Sequence, residues 1–402
     1  MTDVDLASPA SFAAGHPVAM YDWLLANDRV HRHETAEGAF WAVTGHEEVR
    51  QASRDHAALS NEWGISLTSA GEDVRASLNT MMLMMDPPAH TAYRRLVSSA
   101  FTPRGSAAWT DRVDALARRI VDAVAPRGEC ELVGEVAGEM PSFVVADMLG
   151  LPPEEGRQLY HWTEIVHTDP SAVSDADRRT AIMSLIGRGV EVYHERRADP
   201  GDDLASVLAN ASVDGHEMTV EAFASVFMLL VDAGGDTTRN LVGGGIEQLL
   251  ARPEQLAWLL DDLDARLPAA VEELLRFCSP VVHMGRQAVA ELELGGTTIR
   301  AGERVVLFYG AANRDPLVFD RPNELDLARH PNPHVAFGAG GPHYCLGSHL
   351  ARIEIIAILR EFLGRCRDLE LAGPVERLES AFIAGPRAMP VRFTPALATV
   401  DR

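Results

Sequence analysis

Residues 336–352 read AFGAGGPHYCLGSHLAR, and this run limits the fold more than any other stretch of the chain. Glycines at 338, 340 and 341 open backbone conformations closed to other residues and let the chain lie close to a flat ligand. The run then becomes LARIEIIAILREFL, whose apolar spacing is helical. A fold that contains it must join a rigid loop, a single thiol (Cys345) and a helix start. Helix N–H groups aimed back at the sulfur favour a thiolate and tune a metal bound to it. Phe337 is placed to shield the sulfur from water. Two plainer readings compete: a buried inert cysteine, and a glycine loop cradling phosphate. The second is weak, because Gly338-x-Gly340 lacks the third glycine at its required place and Pro342 removes an amide donor.

The rest of the chain sets the frame around this loop. RVDALARRIVDAVA, EAFASVFMLLVDAGGDTT, AAVEELLRF and IEIIAILREFLGRC all carry helical periodicity. Strand-like alternation is confined to GAFWAVTG and to ELELGGTTIRAGERVVLFYG, where Gly295-Gly296 reads as a turn. The expected fold class is mostly α with a small β-rich portion. No linker, low-complexity tract or repeat divides the 402 residues, so one domain over 1–402 is expected. The net charge of -22 argues against a nucleic-acid partner. No apolar run reaches bilayer length, and the first residues lack a basic stretch followed by an apolar one, so a cytoplasmic, unprocessed protein is expected. Cys130, Cys278 and Cys366 lie outside any CxxC pair and read as small buried apolar residues.

Three more motifs stand out. In VDAGGDTTRN (231–240) Gly234 and Gly235 each cost about 1 kcal/mol in a helix interior. Either one helix ends at Gly234 and Asp236 caps another, or the helix opens locally so that a hydroxyl and a carboxylate face a ligand. Glu273 and Arg276 share one helical face, an arrangement usually found on surfaces, where a pair contributes about 0.3–0.5 kcal/mol. In DPPAHTAYRRL (86–96) Asp86-Pro87-Pro88 reads as a helix start, with His90 and Arg94 on one face as candidate anion binders. A cysteine thiolate can hold haem iron and push electron density toward a bound oxygen.

In this order the four motifs resemble those of the cytochrome P450 superfamily, from about residue 80 to the C-terminus. That resemblance implies a helical prism with a small β-rich portion, haem b as cofactor and Cys345 as the axial ligand. It also implies roles for other residues. Ala233, Gly234, Asp236 and Thr237 would form the oxygen groove and proton pair. Glu273, Arg276 and Arg329 would form a structural charge cluster. His90, Arg94, Arg286 and His343 would hold the haem carboxylates, with Phe337 and Gly347 lining the cofactor. The loop from Phe337 to Cys345 is one step longer than the common family loop, with Gly341-Pro342 in place of one residue. A similar insertion occurs in an actinobacterial branch that hydroxylates sterols, branched lipids and terpenoids. AFIAGPRAMPV lacks that branch's usual Asn-Gly.

The expected activity is a monooxygenase that uses O2 and electrons from a ferredoxin and its ferredoxin reductase to oxidise a hydrophobic small molecule. Arg94, Arg95, Arg104 and Arg352 would form the basic docking patch. A non-catalytic haem sensor, a peroxide-dependent haem-thiolate oxidase and a cofactor-free helical module are the rival readings. Asp236-Thr237 disfavours the first two, since neither needs that pair. Substrate-pocket walls are expected from 60–67, Leu229, Leu230, Val281, Val282, His283, Met284, Phe382 and Ile383.

Overall fold

The computed structural model describes residues 4–72, 75, 80–167, 173–213 and 215–397. The longer helices are α1 (Val18–Asn27), α2 (His46–Arg54), α3 (Ala89–Phe101), α4 (Thr110–Val124), α5 (Glu139–Met148), α6 (Pro153–His167), α7 (Asp175–Ala198), α8 (Leu204–Ala209), α9 (Val220–Leu250), α10 (Pro253–Asp261), α11 (Leu263–Cys278) and α12 (Ser348–Arg365). The strands that matter here are β1 (Val30–Thr35), β2 (Gly38–Val43), β3 (Leu59–Ser60), β4 (Glu129–Glu131), β5 (His283–Ala288), β6 (Leu292–Leu294), β7 (Thr297–Ile299), β8 (Arg304–Phe308), β9 (Arg367–Leu371) and β10 (Pro390–Thr394). The fold is mostly helical with small sheets, as the sequence predicts.

α9 is the axis of the helical part. Thr219 caps it by accepting from the Ala222 amide, and its apolar residues pack against α5, α6, α7, α11 and α12. The helix neither ends at Gly234 nor restarts at Asp236; it runs unbroken for 31 residues. Packing explains why the two glycines are tolerated. A β-carbon on Gly234 would come within 2.5 Å of Val145 Cγ2 on α5, and one on Gly235 within 3.4 Å of the Tyr160 ring on α6. The missing side chains let two helices lie close against α9, which offsets the propensity cost.

The main sheet has the order β1-β2-β8-β5-β3, with β2 and β8 parallel and the other pairs antiparallel. β8 (RVVLF) is buried along its whole length. Successive side chains point to opposite faces. Val305 and Leu307 therefore enter one apolar cluster with Val43, Val49 and Leu59, while Val306 and Phe308 enter another with Leu24 and Phe40. Gly295-Gly296 turns the β6–β7 hairpin with both φ positive, as its sequence requires. A second sheet, β9-β10-β4, ties the C-terminal strands to the residues after α4. Among the described residues no helix is long and apolar enough to cross a membrane.

Candidate functional site

The cysteine loop is a tightly folded element. The Cys345 amide donates to the Phe337 carbonyl at 2.9 Å, the Gly338 amide to Val335 at 2.9 Å and the Tyr344 amide to Gly341 at 3.3 Å. Gly341, in the lengthened part of the loop, has φ +78° and sits on the end of α2, where a β-carbon would come within 2.1 Å of the Ser53 carbonyl oxygen. Only glycine fits there. Arg352 lies over the Phe337 ring at 4.5 Å and forms a two-armed pair with Glu272 at 2.6 and 2.8 Å. His334 adds a third contact to Glu272 at 2.9 Å. Burial raises the Cys345 thiol above its ordinary value, while the Gly347 amide, Arg94 and Arg352 pull it back. Phe337, Cys345 and Gly347 all line one large cavity.

That cavity runs between α9 and the cysteine loop and encloses about 1640 Å³ when its open mouth is counted. His90 and Arg94, one turn apart on α3, line it with Arg286 of β5 and His343 of the loop. The two imidazole rings lie 4.2 Å apart. Burial and the neighbouring Arg94 hold His90 near 4; burial, Arg286, His90 and Arg94 hold His343 near 2. Both shifts favour the neutral ring, which can still donate an N–H. Their buried His90 Nδ1 and His343 Nε2 have no hydrogen-bond partner in the protein. Arg94 Nη2 donates to the Tyr344 carbonyl at 2.6 Å, and Arg286 Nη1 to the Gly285 carbonyl at 2.7 Å. Two guanidinium groups and two partnerless imidazole nitrogens around a thiol fit haem, whose two carboxylates need such donors and whose iron takes a thiolate.

On the far wall α9 presents a stripe: Leu229, Leu230, Ala233, Gly234, Thr237, Thr238 and Leu241. The Thr237 hydroxyl donates to the Ala233 carbonyl at 3.2 Å. Asp236 is absent from this lining. It is 3% exposed and turns toward Arg239, 3.4 Å away. Thr238 and Glu354 reach the cavity although sequence reasoning did not select them. Burial lifts the Glu354 carboxyl to about 8, against a smaller opposing effect of its bond with Thr238. The remaining wall is apolar: Met82, Leu83, Val145, Met148, Leu149, Val281 and Met284.

Several expected wall residues lie elsewhere. Val282 is fully buried in the core under the sheet, and His283 bonds the Ala381 carbonyl at 2.9 Å between the rings of Phe308 and Phe382. Ile383 bridges to Val281 in a backbone pairing, and neither it nor Phe382 lines the cavity. The 60–67 stretch is a structural strap: the Gly64 and Ser66 carbonyls accept from buried Arg304, the Ile65 carbonyl from the Gly285 amide, and the Asn61 amide donates to Asp86.

Glu273 and Arg276 are far from a surface pair, since both are fully buried. Arg276 meets both Glu273 oxygens at 2.7 and 2.8 Å and donates to the carbonyls of Asn313, Pro322 and Glu324. Arg329 adds a contact to Glu273 at 3.1 Å, and the Asn332 side chain another at 3.0 Å. Every oxygen is satisfied, the condition under which a buried pair can hold a loop in one place. The loop held here is 313–332, which leads into the cysteine run.

The family model for Cytochrome P450 matches residues 265–380. The chain is 36% identical to a steroid C26-monooxygenase of Mycolicibacterium smegmatis, over 98% of this chain and 97% of that one. It is 37% identical to a methyl-branched lipid omega-hydroxylase of Mycobacterium tuberculosis, over 89% and 85% respectively. Among solved structures, a Mycobacterium marinum cytochrome P450 in complex with pseudoionone superposes with a TM-score of 0.91 at 37% identity, over 97% of this chain and 98% of that one.

Proposed function

The chain belongs to the cytochrome P450 family, and on that premise we propose that this haem b monooxygenase hydroxylates the end of a branched, uncharged lipid with electrons from a ferredoxin. Haem, when bound, supplies the activation of O2. The protein supplies the thiolate, the carboxylate anchors, the dry wall and the protons. In the proposed reading the whole chain acts as one domain in the cytoplasm.

The observation that carries the substrate class is the wall itself. The cationic lining residues, Arg94 and Arg286, sit with His90 and His343 at the cofactor's carboxylate end. Glu354 is neutral through most of the physiological range, because burial holds its proton on to about 8. What remains for a substrate is mostly Met, Leu and Val surface, with the uncharged Thr237 and Thr238 on α9. An apolar chain gains about 25 cal/mol for each Å² buried there, whereas a carboxylate would lose its water without finding a free counter-ion. Three of the wall residues are methionines, whose unbranched thioethers adapt to irregular shapes and suit methyl branches.

Titration of the haem absorption spectrum tests this. Steroids with an intact side chain and methyl-branched alcohols or esters should shift the spin state at micromolar concentrations. Straight-chain fatty acids at pH 8 should bind at least about tenfold more weakly, the equivalent of roughly 1.4 kcal/mol. Equal or tighter binding of the anionic acids would remove the proposed substrate class.

The electron donor is proposed as an acidic ferredoxin. The basic patch expected from the sequence is smaller than expected: Arg352 is engaged by Glu272, and Arg94 turns into the cavity. Arg95 and Arg104 remain exposed on and just after α3. Steering between charged faces weakens as salt rises. Stopped-flow reduction of the haem should therefore slow several-fold between 50 and 500 mM salt, as the Debye length falls from about 14 Å to about 4 Å. Arg95→Gln with Arg104→Gln should flatten that dependence, and a salt-independent rate in the unaltered protein would reject the docking face.

A further inference from the structure

Arg304 opens β8 and is 4% exposed, yet among the described residues no carboxylate pairs with it. Its Nη2 donates to the Gly64 carbonyl at 2.9 Å and to the Ser66 carbonyl at 2.5 Å, both in the 60–67 strap. Its Nε and Nη1 are buried and have no hydrogen-bond partner in the protein. Such a cation is costly, because two carbonyl dipoles replace only part of the water it gives up.

A second guanidinium stands behind it. Arg304 pairs with Gln287 and Val305 with Arg286, so Arg304 and Arg286 leave opposite faces of the sheet. The two groups meet at Gly285. Arg286 Nη1 donates to the Gly285 carbonyl at 2.7 Å, and a β-carbon on Gly285 would collide with the Arg304 guanidinium and the Ser66 carbonyl. Glycine at 285 is thus what admits the second cation. Burial, then the Arg286 charge, brings Arg304 down to about 9, which leaves it charged at pH 7. Asp86 and Tyr309 act on Arg286 and not on Arg304. Burial lowers the nearby His283 to about 4, against the smaller effect of its bond to the Ala381 carbonyl. The negative charge that Arg304 lacks is the one this end of the cavity is built to receive, where Arg286 lines the wall with Arg94, His90 and His343.

We propose that Arg304 is a positioning residue for haem: a second buried cation, behind Arg286, that keeps the adjoining haem carboxylate ionised and in place and makes the iron easier to reduce. It needs no contact with the cofactor, since its effect is that of a charge in a poorly screened interior. Reduction adds one negative charge to the site, and a buried cation favours that state. One charge acting over roughly 10–15 Å at an effective dielectric near 20 is worth about a factor of ten in an equilibrium. The proposal rests on the reading of Arg286 as a carboxylate anchor.

Three variants of the holoenzyme test it, each read by redox titration and by the rate at which haem passes to a scavenging globin. Arg304→Gln removes the charge and keeps an N–H donor. Its reduction equilibrium should fall about tenfold, about 59 mV for a one-electron couple, and its haem should leave at least about fivefold faster. Arg304→Lys keeps the charge and should hold both values within about threefold of the original. Arg286→Gln should lose haem faster still. An unchanged potential in Arg304→Gln overturns the proposal and leaves Arg304 as a tie for the strap, even if haem leaves faster. A fall of about tenfold in Arg304→Lys overturns it as well, and this variant decides the matter if Arg304→Gln does not fold. Haem retention unchanged in Arg286→Gln would instead remove the carboxylate anchor on which the proposal rests. Loss in Arg286→Gln beside an unmoved potential in Arg304→Gln would leave that anchor standing and remove only the second cation.

Discussion

Cys345→Ser is expected to lose the absorption of a thiolate-ligated haem in the reduced, CO-bound protein, while alanine at Cys130, Cys278 or Cys366 keeps it. The structure makes this a sharp contrast. Cys345 alone lines the cavity, with its sulfur near the Gly347 amide and two guanidinium groups. Cys130 and Cys366 are buried in the main apolar core, and burial pushes both thiols up to about 12. Cys278 ends α11 against Gly244 of α9 and is likewise raised to about 12 by burial. A thiol in such a place stays protonated and ligates nothing. Serine at 345 keeps the loop's size and backbone bonds, so haem should still enter through its carboxylate anchors, and the loss would belong to the sulfur. Retention of the thiolate spectrum in Cys345→Ser would remove Cys345 from the iron.

The cysteine loop was legible because its constraints are local: glycines with positive φ, a proline and a helix start leave few conformations. The wall was less legible, for a reason of periodicity. The sequence expectation groups Val281 to Met284, but a strand turns alternate residues to opposite faces. Met284 and Arg286 of β5 face the cavity, and His283 therefore faces the core. Along α9 the cavity takes 229, 233, 237 and 241, with 230, 234 and 238 beside them. Counting in fours from Thr237 finds this stripe and leaves Asp236 off it. The same count from Leu350 finds Glu354 on α12. The burial of Glu273 and Arg276 was not legible at all, because a spacing of three is the same on a surface and in a core. What separates the two cases is the set of carbonyls from 313–324 that converge on Arg276, a tertiary fact.

Thr237→Ala is expected to keep haem binding and reduction and to divert electrons into hydrogen peroxide, with product per electron falling by about tenfold or more, while Thr237→Ser holds near the original value. Thr237 is placed for this. Its hydroxyl proton is lodged on the Ala233 carbonyl, one turn back, and its side chain borders the cavity on the same stripe as Ala233 and Leu229. The apolar wall around it offers few other donors, so the hydroxyl is the group that can hold a proton there. Thr238 is next on the helix, but it is bonded to the buried Glu354 on the side toward α12. Asp236 stands behind Thr237, facing Arg239 and away from the cavity. Asp236→Asn should therefore change a different quantity. It should slow turnover by about 100-fold with less effect on the partition between product and peroxide, because it cuts the supply and leaves the last donor in place. The two variants separate in one experiment that records electron consumption, peroxide and product together. Coupling unchanged in Thr237→Ala would make the threonine a structural residue that back-bonds its own helix. The protons would then have to come from the Thr238–Glu354 side of the cavity, and Glu354→Gln would show the diversion instead.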